Sequence, residues 1–346
     1  MAADTDTTTL ENRSEIVFLY DAEDCNPNGN PLSANDKPRV DETTGQAVVT
    51  DVRLKRYVRD QLDDDELGIY IRNPSKAPYE DVPDRDGLFK RVTELEEDDV
   101  EDMSGSDAAE AFLNNAADVR YFGATCSFSS EFQDALGDDF PGQFIGPVQF
   151  EHGRSMHTVT TKTESKQLST VVASEAGDEQ GTFATDNRLQ YALVKFHGVV
   201  NENAAQDTLL SAEDVERLDA LLWRSLKNQT LTRSKMGHQP RLYLRAEYAT
   251  DDYHHGGLDD GIERADADET DGAEYRNITD VTLAVDDLVA ALAGDAEEGH
   301  LETLHVVVDD HITVSIDGAT GGPEFLLKEL EEAVGADRVN RVDVYA

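Results

Sequence analysis

The sequence predicts an α+β fold, and three kinds of segment carry that prediction. The continuous apolar run at 16–20 (IVFLY) is typical of a central strand that is covered on both faces. Amphipathic helices are predicted at 51–62 and 213–228, and an alternating strand at 241–248. Strand-like segments lie between the two helices. The order strand, helix, strands, helix, strand is that of a ferredoxin-like or RRM-like sheet.

The first helix is predicted to have two unlike faces. Thr50 is a suitable N-cap residue, and Asp51 is favourable at the positive end of the helix dipole. At about 100° per residue, four apolar side chains share a face that is expected to pack: Leu54, Tyr57, Val58 and Leu62. Four cations share the face that is expected to look outward: Arg53, Lys55, Arg56 and Arg59. Cations spaced in this way can bind successive phosphates of a nucleic acid. The alternative is that these side chains are simply solvated and bind no ligand.

The remaining segments predict insertions around a core. Residues 63–117 are acid-rich and are interpreted as an insertion with short helices, so the core comprises 14–62 and 118–248. Within the core, the Thr- and Val-rich stretch 152–172 and the alternating stretch 181–200 predict strands. The acidic region 249–346 contains strand-like LHVVVD and HITVSI and is expected to complete the fold.

The charge of the chain has two interpretations. There are 73 acidic residues against 30 basic ones, and the net charge is -43. A protein that binds cations or basic partners is one alternative; the other is a protein of a salty cell, in which the Debye length falls to about 3 Å near 1 M salt. Because the acids are spread through every segment, we favour a halophilic source. A negative total then does not exclude a nucleic-acid ligand.

Several functional classes have no motif in the sequence. Cys25 and Cys126 permit at most one disulfide and no CxxC metal spacing. No HExxH, DxDxDG, GxSxG, Walker loop or GxGxxG is present, so no catalytic residue, metal or cofactor is predicted. No stretch reaches the length of a membrane span, and the first residues do not resemble a signal peptide. We therefore expect a soluble cytoplasmic protein that does not bind a membrane.

Two loops have compositions suited to ligand contact. NPNGNP follows the apolar strand, and its asparagine amides, if exposed, can donate and accept hydrogen bonds. TLTRSKMGHQPR supplies hydroxyls, backbone N–H groups and cations, a composition typical of phosphate contacts. A structural loop is the alternative for the first, and a helix C-cap with loop cations for the second.

Six ordered blocks resemble a known family. They are SEIVFLYDAEDCNPNGNP, KPRVDETTGQAVVTDVRLKRYVRD, DVRYFGA, GPVQFEHGRSMH, GTFATDNRLQYALVKFHGVVN and TRSKMGHQPRLYLRAEY. Together they span about residues 14–248 and resemble the backbone subunit of the type I CRISPR complex Cascade, in the RAMP superfamily. The resemblance is nearest to the Csh-type subunit of subtype I-B, here from a halophilic archaeon.

The resemblance implies a fold, partners and a function. The fold is a modified RRM-like core with large insertions, including a thumb hairpin between about residues 156 and 185. Such subunits polymerise head to tail along guide RNA (crRNA), bind other Cascade subunits, and leave the bases free to pair with target DNA. They form helical filaments and are not enzymes. The alternative within the same superfamily is a guide-processing endoribonuclease, whose C-terminal Gly-rich loop this chain lacks.

The resemblance also implies RNA-binding residues. The NPNG-type loop, the basic helix, the thumb and the RSK-type loop fall on the following positions, with two further cations from the matching blocks: Asn26, Asn28, Arg39, Arg53, Lys55, Arg56, Arg59, Arg154, Lys162, Lys166, Arg233, Ser234 and Lys235. The acidic stretch 174–181 (SEAGDEQG) departs from what a thumb that touches RNA would carry.

Overall fold

The computed structural model describes residues 10–29, 37–72, 83–167, 183–230 and 235–345, without the side chains of 164–167 and 183–186. The strands are β1 Ser14–Glu23, β2 Gln46–Val49, β3 Gly123–Thr125, β4 Gln143–Ile145, β5 Val148–Phe150, β6 Gly153–Thr158, β7 Thr161–Gln167, β8 Phe183–Leu189, β9 Tyr191–Val200, β10 His238–Tyr248, β11 Glu263–Arg264, β12 Leu283–Ala284, β13 Leu301–Val308, β14 Val314–Ile316, β15 Ala319–Gly321 and β16 Val339–Arg341. The helices are α1 Asp51–Asp64, α2 Arg85–Thr93, α3 Glu97–Glu101, α4 Gly105–Asn115, α5 Ala117–Phe122, α6 Ser130–Leu136, α7 Glu202–Thr208, α8 Ala212–Lys227, α9 Asp286–Glu297 and α10 Pro323–Val334. The predicted mixture of helices and strands is confirmed.

The central sheet is built around β1. Its strand order is β16-β13-β10-β1-β9-β6-β2, and β5 also pairs with β9. β1 is antiparallel to both β10 and β9. Along the chain, β1, α1, β6, β9, α8 and β10 therefore give strand, helix, strand, strand, helix, strand, and the four strands lie side by side as β10-β1-β9-β6.

Both faces of this sheet are buried, as the continuous apolar run predicts. Alternate residues of a strand point to opposite faces. Ile16 and Phe18 belong to the hydrophobic cluster that includes Leu54 of α1 and Leu222 of α8. Leu19 belongs to a second cluster, formed with α9, α10 and the strands of the C-terminal region. The two long helices thus cover one face, and the C-terminal region covers the other.

Two buried polar networks hold the C-terminal region and helix α8 against the sheet. The carboxylate of Glu15 accepts hydrogen bonds from three successive backbone N–H groups at 256–258, at 2.7 to 2.8 Å. It also accepts one from the hydroxyl of Tyr248 (3.0 Å) and lies 2.8 Å from Nε2 of His197. The second network is centred on the bidentate pair between Arg245 and Asp219 in α8, at 2.7 and 2.9 Å. Buried charges of this kind require such complete sets of partners.

A third hydrophobic cluster lies outside the central sheet. It is rich in phenylalanine, and Phe89 of α2 stacks on Phe112 of α4 with ring centroids 5.0 Å apart. The cluster runs from Tyr70 to Phe144 along the chain. It therefore contains the short helices expected for 63–117 and continues past residue 117.

The strands β7 and β8 form an antiparallel hairpin inserted between β6 and β9. Its register runs from Thr161 opposite Leu189 to Gln167 opposite Phe183. The hairpin occupies much of the interval expected for the thumb, whose acidic stretch 174–181 lies outside the described residues. None of the described helices is long and apolar enough to cross a membrane.

Candidate nucleic-acid interface

The loop after β1, residues 24–29, is held from inside by its own asparagines. The Asn26 side chain is buried, and its Oδ1 accepts from the N–H of Asn28 (3.2 Å). The Asn28 side chain donates to the carbonyl of Val48 (2.5 Å) and accepts from the N–H of Thr50 (3.1 Å), the N-cap of α1. The expectation of exposed amides is therefore wrong for Asn26, and the alternative of a structural loop fits these contacts.

Two cations from elsewhere in the chain bind the outer carbonyls of this loop. Arg53, in the first turn of α1, donates from Nη2 to the carbonyl of Asn28. Lys235 donates from Nζ to the carbonyls of Asn26 (2.9 Å) and Pro27 (3.2 Å). Both residues are partly exposed. Because a carbonyl carries no formal charge, these contacts position the two side chains without neutralising their positive charges.

The aromatic side chain of Tyr57 packs beside the same loop, next to the His238 ring. The Tyr57 hydroxyl donates to the carbonyl of Pro27 (2.8 Å), and the charged groups of Arg53 and Lys235 lie 5.8 and 5.7 Å from the Tyr57 ring centroid. The His238 ring lies 5.8 Å from that ring and is buried. Burial, and then the nearby cations, lower the pKa of His238 to about 3. This histidine is therefore neutral at ordinary pH, and the positive charge comes from Arg53 and Lys235.

The base of the β7–β8 hairpin reaches the same loop. Lys162 lies directly opposite Arg188 in the hairpin register. The Nζ of Lys162 is 3.4 Å from Oδ1 of Asp24, and Nε of Arg188 is 3.8 Å from the same oxygen. The backbone N–H of Asp24 donates to the carbonyl of Gln190 (3.1 Å), so the loop and the hairpin base are joined.

Three of the regions predicted from sequence therefore meet around residues 24–28: the start of α1, the hairpin and the 235–238 turn. The sequence analysis does not single out Arg188. Its position within an alternating strand is visible in the sequence, but its partner across the hairpin depends on a register that the sequence alone does not give.

The rest of the basic face of α1 does not look outward, contrary to the prediction. Lys55 is buried, donates to Oε1 of Gln149 (2.6 Å) and pairs with Asp51 (3.5 Å). Burial lowers the pKa of its ammonium group, and Asp51 opposes that shift. Arg56 donates to the carbonyl of Ile71 (2.7 Å). Arg56 also pairs with Asp60 (3.1 Å). The expectation of a row of uncompensated cations is wrong because acidic residues of α1 and polar groups of distant segments both contact these side chains.

Arg59 is the clearest case. Its Nε lies 3.0 Å from the fully buried carboxylate of Asp118, and its guanidinium lies 5.1 Å from the ring of Phe122. The same carboxylate accepts from the backbone N–H groups of Tyr70 (2.7 Å) and Ile71 (3.1 Å). Arg59 thus helps to hold the segment after α1 against the core. Its contact with RNA stays a prediction.

The remaining predicted residues are less informative. Arg39 is exposed, and exposed Arg154 lies 3.4 Å from Asp41. Arg233, Ser234 and the side chain of Lys166 lie outside what the structure describes. In the described part of the chain, no group of three or more His, Cys, Asp or Glu residues is arranged to hold a metal ion.

Comparison with known proteins decides the family. Residues 12–286 match the family model described as CRISPR-associated protein Cas7. This chain belongs to the Cas7 family. A relative from Haloferax volcanii, "CRISPR-associated protein Cas7", is 44% identical over 348 residues, covering 97% of this chain and 98% of the relative.

Two solved structures contain chains that can be superposed on this Cas7 protein. One is a chain of a "CRISPR RNA-guided surveillance complex, pre-nicking", with a TM-score of 0.48, 12% identity, and coverage of 93% of this chain and 100% of that one. The other is a chain of a "CRISPR RNA-guided surveillance complex", with a TM-score of 0.42, 15% identity, and coverage of 86% and 88%.

The family assignment bears on the two functions weighed from the sequence. Cas7 is the backbone subunit of CRISPR RNA-guided surveillance complexes. The prediction of a CRISPR backbone subunit is therefore confirmed and favoured over the guide-processing endoribonuclease.

Proposed function

We propose that this Cas7 protein is a non-catalytic backbone subunit of a type I Cascade complex, of subtype I-B, in the cytoplasm of a halophilic archaeon. It polymerises along crRNA, contacts other Cascade subunits, and presents the guide for pairing with target DNA. The Haloferax volcanii relative and the net charge of -43 support the source. Base pairing then reads the target sequence, while the protein contacts the guide backbone.

We also propose that the core is a modified RRM-like fold, supported by the strand order β10-β1-β9-β6 with α1 and α8 on one face. An ordinary RRM stacks bases on the opposite face of its sheet. Here that face is buried beneath the C-terminal region and carries aliphatic residues such as Leu19, Leu193 and Leu244. We therefore place the guide across the loop and hairpin surface and not on the sheet face.

The observation that carries the proposal is the convergence of cations on residues 24–28. Arg53 and Lys235 are fixed by neutral carbonyls, and Lys162 and Arg188 meet at Asp24. Four positive side chains around one loop, in a chain with a large acidic excess, are suited to successive phosphates of a single strand. RNA contacts at Arg39 and Arg154, which are both exposed, remain predictions.

The test is the double variant R53E/K235E. In the wild-type protein both side chains are partly exposed and donate to carbonyls, so the two substitutions remove no buried apolar side chain and the fold should persist. Copurifying guide RNA should be lost. For residual binding, the loss of two phosphate contacts should lower the salt slope by about 1.4. Absorbance ratios, sequencing of copurified RNA and circular dichroism provide the measurements.

The matched control is K328E, because Lys328 is an exposed lysine on α10, with 62% of its side chain accessible. It should retain guide RNA at the wild-type ratio. Wild-type stoichiometry of RNA in R53E/K235E would refute the assigned surface. Discrete cleavage of repeat RNA by the pure protein would refute the non-catalytic role.

A further inference from the structure

The base of the hairpin contains two cations that lie beside the same carboxylate. Lys162 and Arg188 face each other across antiparallel strands, where like charges are unfavourable. The carboxylate of Asp24 offsets this repulsion, with the same Oδ1 lying 3.4 Å from Lys162 and 3.8 Å from Arg188. In this small site, one carboxylate oxygen thus forms ion pairs with both cations.

The position of this carboxylate is fixed by the backbone. Asp24 has a left-handed conformation, with φ of 48°. Its N–H donates to the carbonyl of Gln190 (3.1 Å), and the preceding N–H of Glu23 donates to the carbonyl of Gly237 (2.9 Å). The side chains of Asp24 and Lys162 are nevertheless 52% and 36% exposed, so a ligand can reach them from solvent, whereas Arg188 is largely buried.

The geometry points to a phosphate site at Lys162 and Arg188 that Asp24 occupies when no RNA is bound. This assignment rests on the proposed function. A phosphodiester of the guide carries one negative charge, like the carboxylate, so binding exchanges one anion for another at the same two cations. Arg53 differs, since it donates to the neutral carbonyl of Asn28 and an incoming phosphate displaces no anion from that contact.

Such an exchange changes how binding responds to salt. Ion pairing with a single strand weakens with a slope of about −0.7 per phosphate neutralised. Added salt also screens the Asp24 pairs and so weakens the internal competitor. The two effects oppose each other at Lys162 and Arg188. The wild-type protein should therefore have a shallower salt slope than a protein in which position 24 is uncharged.

The experiment measures binding of a labelled single-stranded RNA oligonucleotide to full-length D24N across KCl concentrations. Asparagine tolerates a positive φ, so the loop conformation is compatible with the change. Affinity at low salt should rise about three- to tenfold, with a steeper salt slope, because two partly exposed ion pairs no longer compete with RNA. D24G, which also accommodates positive φ, should behave in the same way if D24N folds poorly.

Two further variants test whether the gain in affinity comes from the contacts of Asp24 or simply from the loss of one negative charge. D134N removes the same charge from an exposed position on α6 and should change affinity much less than D24N. In a K162Q/R188Q background, D24N should have almost no effect, because the cations that it frees are absent.

An equal gain in D134N, or an undiminished gain from D24N in the K162Q/R188Q background, would overturn the Asp24 assignment and leave the proposed function standing. If the wild-type protein bound no RNA at any salt concentration, both would fail.

Discussion

Glu15 is a residue whose role the sequence does not reveal. It is the second residue of the first matching block and is charged, yet it is fully buried. Burial alone would raise the pKa of its carboxyl, but hydrogen bonds from His197 and from the backbone at 256–258 lower it from 4.5 to about 2. The backbone donors belong to the C-terminal region, so one side chain of β1 holds a segment more than two hundred residues away.

The variant E15Q should therefore lower the free energy of unfolding by about 3 kcal/mol, because an amide cannot accept from all the donors that the carboxylate satisfies. Urea unfolding followed by circular dichroism in KCl measures this change. E302Q alters an exposed glutamate on β13 and serves as the control. Equal unfolding midpoints for the two variants would contradict the anchoring role of Glu15.

The pH dependence gives a second readout of the same prediction. Since the pKa of Glu15 is lowered in the folded state, its stabilisation is present above 4.5 and is lost as pH falls toward about 2. The pKa of His197 is raised, chiefly by its hydrogen bond to Glu15, so its contribution is present below 6.5 and is lost as pH rises through the folded value. The difference in the free energy of unfolding between wild type and E15Q should therefore be largest between pH 4.5 and pH 6.5.

Helix α1 separates what a local pattern can predict from what it cannot. The predicted span 51–62 agrees with Asp51–Asp64, Thr50 accepts from the N–H of Arg53 as an N-cap, and the four predicted apolar residues are buried. Periodicity and capping depend on neighbours within one or two turns. Lys55 and Arg56 each have an acidic partner four residues away within α1, and such i,i+4 pairs can be read from the sequence. Their other partners, and Asp118 beside Arg59, lie in distant segments, so the periodicity of the helix does not predict that this face is covered.

The strands show the same limit. The run 16–20 predicts the centre of β1, but the strand extends from Ser14 to Glu23 because polar residues such as Asp21 are also buried and paired. β2 is only four residues long and follows a turn-rich segment, so its sequence QAVV gives little periodicity. Its place at the sheet edge comes from pairing with β6.

The two ends of α1 should respond differently to the same substitution. R59E places a carboxylate beside the buried Asp118 and removes the cation that balances it, so the free energy of unfolding should fall by about 3 to 5 kcal/mol. R53E removes a cation that contacts a carbonyl and should change stability much less. Urea titration of both variants in KCl measures the difference. A wild-type midpoint for R59E would show that the Asp118 contact is not structural.

At the scale of the whole molecule, composition does not predict the architecture. Residues 246–346 contain 27 acidic residues against five basic ones, yet the region packs a continuous apolar cluster against the sheet. The strand-like segments LHVVVD and HITVSI correspond to β13 and β14. That this region covers one face of the central sheet depends on long-range contacts such as the pairing of β13 with β10, which no local pattern in the sequence predicts.

The last prediction concerns salt, and it joins the charge to the function. About four purely electrostatic phosphate contacts would lose on the order of a thousandfold in affinity over a tenfold rise in salt. The exchange at Asp24 and the avidity between neighbouring subunits on one RNA both reduce that loss. We therefore expect the assembled complex to retain guide RNA in about 2 M KCl, where screening is nearly complete.

The subunit itself, with a net charge of -43, should lose tertiary structure in dilute buffer, where its acidic residues repel one another. Binding titrations and circular dichroism across KCl concentrations measure both effects; release of the guide with the full slope, or an equally folded subunit at low salt, would contradict the prediction.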